Sequence, residues 1–224
     1  MASIDFDKAG KAVKPPIRLA HVVLRTNKFE KMRDFYVTFL GAHVQFEGAN
    51  LCFIAYDDEH HRIALIGAPG TSDKVDESCG LAHVAFTYPT LNDLLLAYRQ
   101  RLANGIRPMW CVNHGITASM YYYDPDGNAI ETQVDAFDTA DEANNYMYGP
   151  LYGENPLGAD YDPEEWIERL KNGEDEKVLL KRDNVGPRGF ESVPFHTGQS
   201  QYDEVMERRR QKGLPIPKTN GVAA

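Results

Sequence analysis

Two stretches decide the fold: IRLAHVVLR at residues 17–25 and GLAHVAFT at residues 80–87. Each is a short apolar run rich in β-branched residues, and each carries a histidine at the same place: Ala20-His21-Val22 and Ala82-His83-Val84. Working outward, a helical pattern and then three strand-like runs follow each of them. In the first half these are NKFEKMRDFYVTFLG (27–41), then HVQFE, NLCFIAY and HRIALI. In the second they are TLNDLLLAYRQRLANG (90–105), then RPMWCV, TASMYYY and NAIETQV. Asn27 with Glu30, and Thr90 with Asp93, have the spacing of an N-cap and its acidic partner, while Gly41 and Gly105 read as stops. Phe29, Met32, Tyr36, Phe39 and Leu40 form one apolar stripe; Leu91, Leu94, Leu95, Tyr98 and Leu102 form the other. The offsets between halves are 63 for Asn27 to Thr90, 64 for Gly41 to Gly105 and 62 for His21 to His83. Three markers at nearly one offset indicate an internal duplication.

A duplicated βαβββ unit predicts an α+β fold of two small curved sheets related by a pseudo-twofold axis. Equivalent strands then face each other across a cleft, which brings His21 and His83 toward one another. Glu131, on the last strand, follows His83 by 48 residues. The expected boundaries are an N-terminal arm at 1–16, a first module at 17–67, a second at 80–135 and an extension at 136–224. Residues 144–160, rich in Tyr, Gly and Pro, read as an ordered, packed loop. Asp162-Pro163-Glu164-Glu165 opens a helix with a cap, a proline in the first turn and an acidic start. Its apolar face is Trp166, Ile167 and Leu170. Residues 181–200 read as irregular, 202–213 as a last amphipathic helix and 215–224 as an extended end. This tail is expected to wrap the domain or a neighbouring subunit, in a homodimer or larger homo-oligomer.

Charge narrows the partners. Lys and Arg number 24 against 33 Asp and Glu, a net −9 among 224 residues, which disfavours nucleic acid and anionic membranes. No apolar run approaches the roughly 20 residues of a bilayer span. The N-terminus has no apolar secretory core, so a cytoplasmic location is expected. Cys52, Cys79 and Cys111 stand far apart and read as reduced, mostly buried thiols.

Two histidines and one carboxylate on one face of an ion leave open positions for a substrate and O₂, the pattern of non-haem iron(II) oxygenases. His21 and His83, at equivalent places of the repeat, and Glu131 on the last strand supply those residue types. Glu131 lies between Ile130 and Thr132 on an apolar strand, where an unpartnered carboxylate is costly. The stretch VNHGITASMYYYDPDGNAIE (112–131) resembles the signature of the type I extradiol ring-cleavage dioxygenases of the vicinal oxygen chelate superfamily. The matching positions are Val112, His114, Met120, Tyr121, Asp124, Pro125, Gly127 and Glu131. That superfamily is built from paired βαβββ modules, and the resemblance spans roughly residues 17–175.

The resemblance implies Fe(II) held by His21, His83 and Glu131, with a catechol and O₂ as substrates, biaryl or bicyclic catechols included. HHRIAL (60–65) resembles the segment holding the family's acid/base histidine, which selects His61 over His60. His114 and Tyr121 match the remaining polar pair around substrate and oxygen. One departure is visible: many members carry two paired-module domains, and this chain has a single pair. Two rival readings remain, a metal-dependent isomerase or epimerase of the same superfamily and a metal-free ligand-sequestering protein. The isomerases fill a fourth ligand position from the first module. Here the equivalent of Glu131 falls at Gly67-Ala68-Pro69, which cannot ligate.

Overall fold

The computed structural model describes residues 10–75 and 78–218, together with Asp7. Residues 1–6, 8 and 9 of the expected arm, and 219–224 of the expected extended end, lie outside the described residues. The first half forms β1 (Val22–Thr26), α1 (Phe29–Leu40), β2 (His43–Glu47), β3 (Leu51–Ala55) and β4 (Ile63–Gly67). The second forms β5 (His83–Thr87), α2 (Leu91–Ala103), β6 (Trp110–Asn113), β7 (Thr117–Tyr123) and β8 (Ala129–Asp135). The sheets run β1-β4-β3-β2 and β5-β8-β7-β6-β9, where β9 (Ala159–Asp160) comes from the extension. In each, the first strand pairs parallel with the fourth, Val22 opposite Ile63 and His83 opposite Ala129. The other pairings are antiparallel. The α+β, paired-βαβββ architecture expected from the repeat is therefore present.

The helix ends follow the cap chemistry with one exception. Thr90 caps α2 by accepting from the Asp93 N–H, and Gly41 ends α1 at φ 60°, a left-handed conformation that suits glycine. Asn27 does not cap α1. Its amide donates to the Thr71 carbonyl at 2.9 Å, and Thr26 Oγ1 instead accepts from the Lys28 N–H at 2.8 Å. His21 also lies one residue before β1 rather than within it.

One core joins the two halves. Met32, Tyr36 and Phe39 of α1 and Leu94, Tyr98 and Leu102 of α2 pack with Ile54, Ile63, Leu65, Met120, Tyr122 and Ile130 from both sheets. Arg101 is only 2% exposed and fastens this junction. Its Nε donates to the Phe39 carbonyl at 3.0 Å, and its guanidinium lies 4.1 Å from the Phe39 ring centre and 5.2 Å from that of Tyr122. That carbonyl belongs to the last turn of α1, where no intrahelical donor remains. Tyr36 Oη donates to Asp124 at 3.0 Å, while Asp124 also accepts from the Asp126 and Asn128 N–H groups to shape the DPDG turn.

The extension is more helical than expected. Residues 144–160 hold the second half of α3 (Ala140–Met147), all of α4 (Pro150–Glu154) and β9, in place of one packed loop. A capping box between Thr139 and Glu142 starts α3, and proline at the first turn starts α4. Asp162 caps α5 (Pro163–Lys171) as expected, through the Glu164 and Glu165 N–H groups. Then come α6 (Glu176–Leu180), α7 (Pro194–Thr197) within the stretch read as irregular, and α8 (Gln201–Gln211), capped by Ser200. Tyr98 Oη donates to Glu164 at 2.8 Å and lies 3.0 Å from Tyr202 Oη, tying α2 to both α5 and α8. Gly158 (φ 92°) leads into β9 so close to β6 that a Cβ there would strike the Asn113 carbonyl oxygen. Cys52 and Cys111 are buried, and Cys79 is exposed. Among the described residues no helix is long and apolar enough to cross a membrane.

Replacing Arg101 with Ala removes the donor to the α1 carbonyl and empties the space between two rings. The expected loss is about 3–5 kcal/mol, combining a cavity with an orphaned acceptor. It should appear as a lower urea midpoint at unchanged slope; an unchanged midpoint would show that Arg101 does not fasten the junction.

Candidate active site

Register decides which side chains share a face. Ala85 lies opposite Glu131, Glu131 opposite Tyr121, and Tyr121 opposite Trp110. Alternation then puts His83, Glu131, Ser119, Tyr121, Trp110 and Val112 on one face of the second sheet. Met120, Tyr122 and Ile130 point the other way, into the core.

On that face Glu131 is 5% exposed, and its Oε2 lies 3.0 Å from His83 Nε2. Burial pushes the Glu131 carboxyl up, but hydrogen bonds from His83 and Ser119 outweigh it and hold the group below its ordinary value. The same bond raises His83 against the opposing effect of burial. Beside them, His114 Nε2 is 3.1 Å from Tyr121 Oη. Burial lowers His114 and raises Tyr121, the latter helped by the Glu131 charge.

An aromatic wall adjoins these polar groups. Trp110 stacks on Tyr121 at 5.1 Å between ring centres, and its Nε1 donates to Asp160 of β9 at 2.7 Å. Arg188 binds Asp160 and lies 5.4 Å from the Trp110 ring centre. Phe195 of α7 meets Tyr121 and Trp110 edge-on, at 5.3 and 6.0 Å, and Val193 is buried in the same cluster. The extension thus covers part of the face that carries Glu131.

The first module holds a separate group. The rings of His21 and His61 lie 4.3 Å apart, and His61 stacks on Phe53 at 4.3 Å and 10°. His60 Nδ1 is 2.6 Å from His61 Nδ1. Burial, then the neighbouring His21 and His60, lower the His61 imidazole. Among the described residues, no three His, Cys, Asp or Glu side chains lie close enough to share an ion. Within one chain, therefore, His83 and Glu131 come together with His114 and Tyr121 beside them, while His21 and His61 pair elsewhere.

The sequence reading passed over Trp110, Ser119, Arg188 and Phe195. The first two were within reach, because once the β6–β7 hairpin is drawn Trp110 falls opposite Tyr121 and Ser119 alternates onto the same face. Phe195 and Arg188 arrive from the extension with no local signal. Of the tyrosines in the stretch read as a packed loop, Tyr148 is 93% exposed, whereas Tyr146 packs against Phe137 and Tyr152.

Paired βαβββ modules with imidazole and carboxylate gathered on a sheet face define the vicinal oxygen chelate plan. Residues 18–132 match the Glyoxalase/Bleomycin resistance protein/Dioxygenase superfamily, and the chain belongs to it. It is 52% identical over 147 residues to Biphenyl-2,3-diol 1,2-dioxygenase 2 of Rhodococcus globerulus, covering 65% of this chain and 77% of that protein. Its identity to Biphenyl-2,3-diol 1,2-dioxygenase 3 of the same organism is 45% over 167 residues, 74% of this chain and 88% of the relative. The resemblance to type I extradiol dioxygenases therefore stands. Among solved structures it is similar to a lactoylglutathione lyase from Agrobacterium tumefaciens, at 19% identity and a TM-score of 0.45 over 54% of this chain and 96% of that one.

Phe195→Ala should uncover Trp110. In a Trp166→Phe background, where Trp110 is the remaining tryptophan, emission should shift to the red and acrylamide quenching should rise, with a stability loss of about 1 kcal/mol. Unchanged quenching would show that α7 does not cover this face.

Proposed function

We propose that this chain is an extradiol dioxygenase that opens a catechol-type ring, biaryl or bicyclic catechols included, with O₂ at a mononuclear iron(II) centre. The observation that carries the reading is the buried Glu131 held by a half-exposed His83, beside the His114–Tyr121 pair and an aromatic wall. The two biphenyl-diol dioxygenases similar to this chain support the substrate class, and the 112–131 signature supports the reaction.

The donor set fits the ion. Glu131 Oε2 and His83 Nε2 already face each other at hydrogen-bond distance, so a cation would replace the shared proton. Neutral imidazole and carboxylate suit Fe²⁺, and His21 would be the third ligand. When bound, the iron would supply Lewis-acid activation of the catechol and a path for its electrons to O₂.

The remaining steps belong to the protein's own side chains. Trp110 and Phe195 offer planar surfaces to the ring and exclude water from it. Tyr121 would orient one phenolic oxygen and share its proton with His114. His61 would take the second phenolic proton and later return it to a departing oxygen, which is positioned acid–base work.

Four outcomes test this reading. Anaerobically purified protein should contain about one iron per chain and consume O₂ with a panel of catechols. Glu131→Ala should lose both iron and turnover; full iron occupancy in that variant would remove Glu131 from the metal shell. His61→Gln should keep its iron while kcat falls by roughly 10²–10⁴, and a larger loss in His60→Gln would transfer the role to the neighbour. In ¹⁸O₂ both labelled atoms should enter a yellow, ring-opened hydroxy-dienoate, whereas a colourless muconate would mean intradiol cleavage.

A further inference from the structure

His114 stands on the hairpin loop between β6 and β7, and the extension grips that loop from several sides. The loop is closed by the His114 N–H, which donates to the Thr117 carbonyl at 2.8 Å. Next to it, Asn113 donates to the Leu179 and Leu180 carbonyls at 3.4 and 3.0 Å, while its Oδ1 accepts from the Gly115 N–H at 2.8 Å. Gly115, at φ 92°, runs so close to Tyr146 that a Cβ there would meet its hydroxyl.

Arg182, two residues past α6, is the centre of this grip and is only 7% exposed. Its Nη1 donates to the His114 carbonyl at 3.2 Å and to the Asn155 carbonyl at 2.5 Å, and its Nη2 donates to the Leu151 carbonyl at 2.7 Å. The guanidinium lies 5.7 Å from the Tyr146 ring centre. Among the described residues its acceptors are backbone carbonyls, and its Nε is buried without a partner. A buried cation offset by dipoles alone is costly, and an apolar side chain of similar volume would fill the same gap at less cost. Stability by itself is therefore a poor reason for an arginine here.

Asn155 carries the grip onward to the imidazole. With its carbonyl held by Arg182, its Oδ1 accepts from the Leu157 and Gly158 N–H groups at 3.1 and 2.8 Å. Leu157 packs against the cluster of Trp110 and Tyr121, and its backbone interacts with the His114 ring. One guanidinium thus holds both the backbone of His114 and the loop beside its side chain.

We propose that Arg182 is a positioning residue for His114: by gathering the carbonyls of His114, Asn155 and Leu151, it fixes the imidazole 3.1 Å from Tyr121 Oη. A planar fork lets one side chain reach three carbonyls in different directions, which the single ammonium of lysine does less well. Held in this way, Nε2 meets Tyr121 in one orientation, with no search before a proton is shared. The clamp stands on the geometry alone; the share of His114 in catalysis rests on the dioxygenase reading.

The test is a double-mutant cycle in the full-length, iron-loaded chain with biphenyl-2,3-diol as substrate. Arg182→Gln should keep about one iron per chain and lower kcat/KM by roughly 10- to 100-fold, the scale of a misplacement of about 1 Å. Adding Arg182→Gln to His114→Gln should cost less than about threefold more, because residues that act through one group are not additive. Arg182→Lys should fall between the wild type and Arg182→Gln, and it takes the place of Arg182→Gln in the cycle if that variant fails to fold.

Hydrogen exchange supplies a readout independent of turnover. In Arg182→Gln, amides 113–117 should exchange roughly tenfold faster or more while α2 keeps its protection. Fully additive losses in the cycle, or unchanged exchange at 113–117, would overturn the positioning role. A wild-type chain that opens no catechol would instead defeat the dioxygenase reading, and exchange at 113–117 would then decide the clamp by itself.

Discussion

A carboxylate buried on a sheet face must find a donor, and Glu131 finds His83 because β5 and β8 run parallel in one fixed register. His83 lies opposite Ala129 and Ala85 opposite Glu131, so imidazole and carboxylate are two positions apart on adjacent strands and share a face. A slip of one residue would turn Glu131 into the core beside Met120 and Tyr122, away from His83 and Ser119. Much of the molecule guards that register. The Asp124 turn fixes where β8 begins, Tyr36 anchors the turn to α1, and Arg101 holds α1 against the same sheet.

The two modules share a topology but not a chemical burden. The first contributes imidazoles against a stacked phenylalanine, and its outer face stays bare. The second carries the carboxylate, the phenol and an aromatic wall. The extension attaches itself to that second sheet through β9, the Asp160–Arg188 contact and Phe195. Duplication supplied a symmetric frame, and the added tail covers part of one half with an aromatic wall.

What the sequence revealed follows from how local each signal is. Strand–helix alternation, the Thr90 cap and the Gly41 stop depend on neighbours within a few residues, and each appears where the pattern put it. The α1 start was misread because Thr26 Oγ1 reached the helix first, leaving Asn27 free to bond the Thr71 carbonyl, a competition settled by the fold rather than by local spacing. Residues 144–160 looked loop-like because their Tyr, Gly and Pro content masked the end of a helix started upstream by the Thr139–Glu142 capping box, and the initiating Pro150. The grouping of Glu131 with His83, and of His114 with Tyr121, could be drawn from register and signature. The distance between His21 and Glu131 could not, since it depends on how two modules dock, and no local periodicity encodes that.

The two residues of β9 have a consequence for growth. A sheet with both sides unsealed can add neighbours in either direction, and assemblies of that kind lengthen into filaments. Here β9 occupies the far side of β6, and the irregular register between Val44 and Phe46, with the charge of Glu47, blunts the far side of β2. Among the described residues the sides bearing β1 and β5 stay open, one on each sheet, while the other two are closed off. Termination is thus written into the backbone by a strand too short to be noticed as a strand.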